Sequence, residues 1–151
     1  AFLRSYGVTV LEGEYAKVMV NEVPINIVGL SDPYSRYPFV EHFYKLAEAI
    51  KEEKGVKILL SHRPEYAPLY EKGGYDLVLS GHAHGGQVRI PYLLNGLYAP
   101  GQGFFPKYAG GYYKLKDNTH FIVSRGLAIY PTLPRVFNPP EIVAITLSGM
   151  K

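Results

Sequence analysis

Three of the five histidines directly follow short apolar runs, and they are the residues best placed to do chemistry. His62 comes after residues 57–61 (KILLS), while His82 and His84 follow residues 76–80 (DLVLS) through Gly81. In open α/β sheets, ligand sites lie just outside the carboxyl ends of the strands. Because neutral imidazole is a common ligand of zinc, iron and manganese, this placement indicates a divalent metal site.

The residues around this pair of runs fit the same interpretation. Gly81 allows the backbone to turn sharply beside a metal. The one-residue spacing between His82 and His84 lets their side chains point to different positions. A lone histidine is more often structural than a ligand. We therefore assign structural roles to His42, which falls within a predicted helix, and to His120, which opens a late strand.

The elements that must position these histidines are indicated by periodicity and by turn residues. Apolar residues at three- to four-residue spacing predict a helix over residues 38–54, and residues 64–72 predict a shorter one. The turn at residues 21–24 predicts a hairpin. Strands are predicted over residues 8–12, 17–21, 25–30, 57–61, 76–80, 112–116, 120–124 and 142–147. The alternation of strands and helices predicts an α/β layered core formed by residues 1–151 as one unit.

A loop dense in glycine, proline and aromatic residues is predicted over residues 91–111. Its apolar side chains either form a substrate-facing lip or pack under the loop as a satellite core. They are Tyr92, Leu93, Leu94, Leu97, Tyr98, Phe104 and Phe105.

Composition excludes several classes of protein. A chain of 151 residues is expected to form one domain, since domains take roughly 100–200 residues. The absence of cysteine rules out disulfide scaffolds, zinc–cysteine modules and thiol catalysis. The net charge of +3 is spread along the chain, so no nucleic-acid partner is expected. No apolar run approaches the ~20 residues of a membrane span, and we expect a location in the cytoplasm or peripheral to a bacterial membrane.

The histidine motifs and several blocks after them resemble one bacterial branch of the calcineurin-like metallophosphoesterases, which includes phosphodiesterases and lipid pyrophosphatases. The resemblance covers the chain from about Gly7 to Leu147. The blocks are residues 61–65 (SHRPE), 80–87 (SGHAHGGQ), 87–91 (QVRIP), 100–108 (PGQGFFPKY), 124–127 (SRGL) and 139–142 (PPEI).

This resemblance implies a dinuclear site with two divalent ions, such as manganese, zinc or iron, in the complete enzyme. His62 and His82 would ligate one metal and His84 the other. The two cations of such sites generate a nucleophile at neutral pH and neutralise charge on the phosphoryl oxygens. Arg63 and Gln87 border the site. Either one of them contacts the phosphate of the substrate, or they serve as helix-cap and loop residues. The substrate would be a phosphoester, with lipid-linked phosphoesters among the candidates.

The aspartate motifs of that family are not found in this sequence. The family site also needs an Asp-x-His, a Gly-Asp and a Gly-Asn-His block, whereas the aspartates here are Asp32, Asp76 and Asp117 in other contexts. Asp32 ends a predicted strand, which leaves two interpretations open: a position near the site, or the turn-forming role that we favour. The resemblance therefore implies the C-terminal part of a four-layer α/β/β/α sandwich that supplies no catalytic residue beyond its ligands. We expect this portion to be inactive alone and to need the N-terminal half, or a second copy, to cover its sheet.

Three functions remain open on the sequence. The first is a metal-dependent phosphoester hydrolase of phosphodiesterase or pyrophosphatase type. The second is a metal- or ligand-binding module without catalysis, which the absence of Asp-x-His and Gly-Asn-His blocks upstream would favour. The third is a basic nucleic-acid-binding domain, for which binding should weaken steeply as salt rises.

Overall fold

A computed structural model describes residues 2–34, 38–128 and 134–148 of the chain. The helices are α1 (Phe2–Ser5), α2 (Phe39–Ala49) and α3 (Ala67–Tyr70), with 3₁₀ turns at Pro64–Tyr66 and His84–Gly86. The strands are β1 (Glu14–Val20), β2 (Val23–Leu30), β3 (Val56–Ser61), β4 (Leu77–Ser80), β5 (Tyr98–Ala99), β6 (Gly103–Phe104), β7 (Gly111–Lys114) and β8 (His120–Val123). None of the helices among these residues has the length and apolar composition needed to cross a membrane.

Six of the strands form one mixed sheet in the order β1-β2-β3-β4-β8-β7. The four central strands are parallel, and the edge strands β1 and β7 run antiparallel to their neighbours. The predicted α/β class is confirmed. The predicted hairpin is also confirmed, since Asn21 and Glu22 adopt positive φ in a tight turn between β1 and β2.

The core lies on one face of this sheet. Val28, Leu59, Val78 and Phe121 are paired across four neighbouring strands and are fully buried. Helix α2 covers them with a stripe of buried residues, Phe39, Phe43 and Leu46, at the spacing of one helical face. The helix ends at Ala49, five residues before the predicted limit, because Ile50 already leaves the helical conformation.

The opposite face of the sheet is only partly covered. Leu60 of β3 is 39% exposed, and its neighbours Leu79 and Ile122 are half-buried. Leu11 crosses this face so closely that a Cβ on Gly29 would lie 2.4 Å from the Leu11 Cβ. An apolar run in a central strand predicts cover on both faces, and the described residues supply full cover on one.

Two predicted strands are wrong. Residues 8–12 contain no strand, because β1 begins at Glu14 and already occupies the free edge of β2. Residues 142–147 are exposed and form no ladder, since β7 occupies the edge beside β8. An alternating pattern identifies a half-buried extended segment, whereas a strand also needs a vacant sheet edge with which to pair.

Candidate active site at the carboxyl edge of the sheet

The parallel strands β2, β3 and β4 end at the same edge of the sheet and place three polar side chains there. Asp32 follows β2, His62 follows β3, and His82 follows β4 through Gly81. The rings of His62 and His82 have centroids 4.9 Å apart and planes inclined by 64°. The backbone N–H of Gly81 also donates to the carbonyl of His62 at 3.3 Å. The convergence predicted for these two histidines from strand-end placement is therefore observed.

The loop that carries His82 and His84 has an unusual backbone. His82, His84 and Gln87 all have φ between 48° and 62°, a region that non-glycine residues rarely adopt. The side-chain amide of Asn138 holds this loop, because its Nδ2 donates to the carbonyls of His84 at 2.7 Å and Gln87 at 3.1 Å. Strained backbone of this kind persists only where its surroundings over-determine it, and it concentrates at functional sites.

Glycine is required at one point of the same loop. Gly86 has φ of +66°, and a Cβ there would lie 2.4 Å from the Cα of Gly96. The contact is between two backbones, so no side-chain movement can relieve it. The loop of His82 and His84 is therefore packed directly against the loop of residues 91–111.

Arg63 is the most connected residue of the site. Its guanidinium donates two hydrogen bonds to Asp32, from Nε to Oδ2 at 2.8 Å and from Nη2 to Oδ1 at 3.1 Å. It also lies 4.6 Å above the ring of Tyr34 and 3.7 Å from a carboxylate oxygen of Glu65. Hydrogen bonds from Arg63 lower the pKa of Asp32 below its ordinary value. The turn role expected of Asp32 is present too, because Oδ1 accepts from the Tyr34 N–H at 3.0 Å.

A fourth contact of Arg63 determines the protonation state of His82. Nη1 of Arg63 lies 2.8 Å from Nε2 of His82. A guanidinium has no acceptor, so Nε2 must accept the hydrogen bond and the imidazole proton must sit on Nδ1. Burial, followed by the charges of Arg63 and His62, lowers the pKa of His82 to about 4. His82 is therefore neutral near pH 7, as a metal ligand must be.

The backbone of Arg63 is held by the helix that follows it. The fully buried Tyr70 of α3 donates its hydroxyl hydrogen to the Arg63 carbonyl, and Ser61 donates to the Tyr70 oxygen at 2.7 Å. Arg63 precedes the 3₁₀ turn at Pro64–Tyr66, but its side chain makes no cap hydrogen bond. Arg63 thus occupies the N-cap position that the cap alternative gave it, while its side chain binds Asp32.

His84 and Gln87 follow His82 in the same loop. His84 is half-buried, and its pKa is lowered by burial and then by the charges of Arg135 and His62. The side chain of Gln87 is buried, and its Oε1 has no hydrogen-bond partner in the described part of the chain. The carbonyl of Gln87 accepts from Asn138 and from the Val136 N–H, so its backbone has the loop role expected.

The metal site predicted from His62, His82 and His84 stays a prediction. Within residues 2–34, 38–128 and 134–148, no group of three or more His, Asp or Glu side chains is arranged to hold a metal ion. The adjacent imidazoles of His62 and His82 have suitable donor chemistry. Nε2 of His82, however, is engaged by Arg63. These residues fit part of a coordination set and do not complete one.

A cleft of about 410 Å³ opens beside His62 along the ends of β2, β3 and β4. Its walls are mainly apolar and include Leu11, Leu30 and Leu79. Across the histidine loop, residues 91–111 expose most of their apolar side chains to solvent. The satellite-core alternative for this loop is contradicted, because Tyr92, Leu93, Tyr98, Phe104 and Phe105 are all exposed.

Sequence reasoning missed two contributors to this edge. Asn138 lies 54 residues after His84 in the sequence, and nothing in the Asn-Pro-Pro pattern indicates its hydrogen-bond partners. The pairing of Arg63 with Asp32 could have been expected, because Asp32 follows a parallel strand by the same rule that identified His62 and His82.

Comparison with known proteins gives several relatives over most of the chain that are named metallophosphoesterases. An uncharacterized metallophosphoesterase of Campylobacter jejuni is 36% identical over 141 residues, covering 89% of this chain and 36% of the relative. Others in Aquifex aeolicus and Helicobacter pylori are each 32% identical, covering 98% and 97% of this chain and 54% and 37% of those relatives. The chain thus spans between about a third and about a half of their length. No family model and no solved structure matches it significantly.

Proposed function

Since this chain belongs to the calcineurin-like metallophosphoesterase superfamily, we propose that the complete protein hydrolyses a phosphoester with the help of divalent metal ions. The observation that carries this proposal is the convergence of His62 and His82 at the carboxyl edge of the sheet, 4.9 Å apart between ring centroids. Paired imidazoles at this edge match both the chemistry of metal binding and the names of the relatives.

We assign the ligand roles to His62, His82 and His84, with two metal ions in the complete site. When bound, such ions lower the pKa of a water molecule and neutralise charge on phosphoryl oxygens. The chain keeps His82 neutral, as a metal ligand must be, while the Arg63 guanidinium occupies its Nε2. Ligation through Nε2 requires the Arg63 guanidinium to leave that atom, and the pair with Asp32 gives the guanidinium a place to remain.

The rest of the ligand set belongs, in this proposal, to a part of the protein outside these residues. A metallophosphoesterase needs carboxylates to balance the charge of two cations, and no His, Asp or Glu cluster among the described residues supplies them. The half-open face at Leu60 and Leu79 offers a surface for that part to cover. We accordingly expect residues 1–151 alone to show little or no turnover.

A second function, metal or ligand binding without catalysis, is favoured by one observation. Arg63 places a positive charge 2.8 Å from Nε2 of His82, the atom through which that histidine would bind a metal. If the guanidinium never leaves, His62 and His84 remain as ligands and the hydrolytic site is not assembled. The two functions differ in whether the metal-bound protein also hydrolyses a phosphoester.

The test uses full-length protein stripped of metal by chelation and reloaded with manganese, zinc or iron. Hydrolysis of bis-(p-nitrophenyl) phosphate should return with metal and should fall at least about 100-fold in His62→Ala and His84→Ala, because losing even an outer partner of a ligand costs roughly 10–100-fold. His120→Ala is the matched control, since His120 is exposed and contacts Tyr112. Bound metal without any hydrolysis would favour the binding module, and hydrolysis that ignores chelation would refute the proposal.

A further inference from the structure

Three arginines, Arg89, Arg125 and Arg135, cluster near the carboxylate of Glu141. Arg125 pairs with Glu141 through its Nε at 2.7 Å and its backbone N–H at 2.8 Å. Arg135 donates to the carbonyl of Arg125 at 2.7 Å, and Arg89 also lies within this group. With one negative charge against three positive ones, the cluster carries a net charge of about +2.

Arg89 and Arg125 pack against the same glycine. A Cβ built on Gly110 would lie 2.7 Å from Cγ of Arg125 and 3.2 Å from Nη1 of Arg89. The absence of a side chain at Gly110 is what allows the two arginines to approach. Like charges this close oppose each other, and burial, followed by the charge of Arg125, lowers the pKa of Arg89.

The contacts within the chain leave part of this positive charge uncompensated. Arg89 donates from Nη2 to Asn95 at 2.7 Å, but its buried Nη1 has no hydrogen-bond partner among the described residues. Nη1 of Arg135 is buried and unpartnered in the same way within those ranges. Buried N–H groups are almost always paired, and leaving them unpaired is costly. Packing alone therefore does not explain why this position holds three arginines.

A pocket of about 490 Å³ opens directly beside the cluster. Arg89, Arg125 and Asn95 form its polar wall, and the exposed side chains of Leu93 and Phe137 form its apolar rim. An anion seated here would offset the positive charge of Arg89 and Arg125, which both line the pocket. A phosphate group is well matched to guanidinium donors, which bind it with charge-assisted hydrogen bonds.

We propose that this pocket is an anion-binding subsite, separate from the His62–His82 pair, that takes a phosphate group carried on an apolar chain. The arginines supply the counter-charge, and the rim at Leu93 and Phe137 receives the chain. The subsite rests on the proposed function only in assigning its ligand as the substrate or product, so binding can be measured without hydrolysis.

The binding test uses full-length protein with metal removed by chelation, so that no metal-held phosphate contributes. Inorganic phosphate and n-octyl phosphate, below its micellar concentration, are titrated by calorimetry into wild type, Arg89→Gln and the control Lys51→Gln. Lys51 is an exposed residue that makes one surface pair with Glu48. We expect Arg89→Gln to weaken both ligands at least about tenfold, the loss of one charge-assisted contact, and Lys51→Gln to leave them within about twofold.

A separate comparison of the two ligands tests the apolar rim. Octyl phosphate should bind wild type at least about tenfold more tightly than inorganic phosphate, since each buried methylene contributes about fourfold. Leu93→Ser should remove most of that advantage and leave inorganic phosphate unchanged. Because Leu93 is 81% exposed, this variant should fold even where Arg89→Gln does not. Equal affinity for the two ligands in wild type would overturn the apolar-chain assignment.

Failure of the subsite and failure of the proposed function give different results. If wild type binds neither ligand, or if Arg89→Gln binds phosphate like wild type, the arginines are structural and the subsite is refuted, whatever the hydrolytic activity. If phosphate binding depends on Arg89 while metal-loaded protein hydrolyses no phosphoester, the subsite stands and the proposed hydrolase is refuted. Competition of sulfate with phosphate on wild type supports an oxyanion site independently of any variant.

Discussion

Asp32→Asn removes the charge that holds Arg63 in place while changing little else. The asparagine keeps the Oδ1 that accepts from the Tyr34 N–H, so the turn after β2 can persist. Arg63, whose side chain is 11% exposed, would keep the Glu65 carboxylate at 3.7 Å as its one counter-charge among the described residues. We expect the protein to lose stability because a largely buried cation loses its bidentate partner.

The magnitude follows from how far the pair is buried. Removing one partner of a fully buried ion pair costs about 3–5 kcal/mol, whereas an exposed pair contributes about 0–1 kcal/mol. The Asp32 side chain is 35% exposed, so solvent screens part of the interaction. We expect a loss of about 2 kcal/mol in the free energy of unfolding. At a denaturant dependence of about 2 kcal/mol per molar, this lowers the urea midpoint by about 1 M.

Urea unfolding of the full-length protein, followed by circular dichroism, measures this loss. Glu48→Gln is the control, because Glu48 pairs with Lys51 at 3.5 Å on the surface with its side chain 74% exposed. That substitution should cost less than about 0.5 kcal/mol. Equal losses in the two variants would refute the reasoning that Arg63 depends on Asp32.

The pH dependence of this difference is a second readout. Hydrogen bonds from Arg63 lower the pKa of Asp32 in the folded protein. Its contribution to stability is therefore fully present above its ordinary pKa of 3.8 and is lost as the pH falls through the lowered folded value. Wild type and Asp32→Asn should differ by the full amount at pH 7 and converge in strong acid.

Three further substitutions, one of them with a control, test other contacts of the chain. Gly86→Ala should prevent stable folding, because its Cβ would lie 2.4 Å from a neighbouring backbone atom. The control is Gly74→Ala, where φ is +65° and the space around the Cβ is open. Thermal unfolding should show that this control lowers the free energy of unfolding by only about 1–2 kcal/mol. Asn138→Ala leaves two carbonyls of the histidine loop without their donor and should cost about 2 kcal/mol, with faster hydrogen exchange in that loop; unchanged exchange would contradict its role. Burial raises the pKa of Glu141, but hydrogen bonds from Arg125 lower it overall. Glu141→Gln should therefore reduce the free energy of unfolding above pH 4.5, and the difference from wild type should vanish at lower pH.

Much of the site could be predicted because its chemistry depends on strand ends. Residues 57–61 and 76–80 have apolar runs that identify parallel strands from their own composition, and such strands bring their carboxyl ends to one edge. That rule was sufficient to place His62 beside His82. The rest could not be predicted in the same way, because the partners of Arg63 and the shape of the loop around His84 depend on residues distant in sequence.

The sequence by itself determined the local elements: the hairpin turn at Asn21 and Glu22, the amphipathic helix α2, and the apolar strands β3 and β4. Each follows from the periodicity or turn chemistry of one short segment. Only the tertiary structure decided which extended segments became strands, because a ladder needs a vacant edge. It also decided that Asp32 holds Arg63 across 31 residues and that Asn138 holds the histidine loop across 54. Hydrogen bonds and ion pairs require two groups to meet, and a sequence pattern reports only one of them.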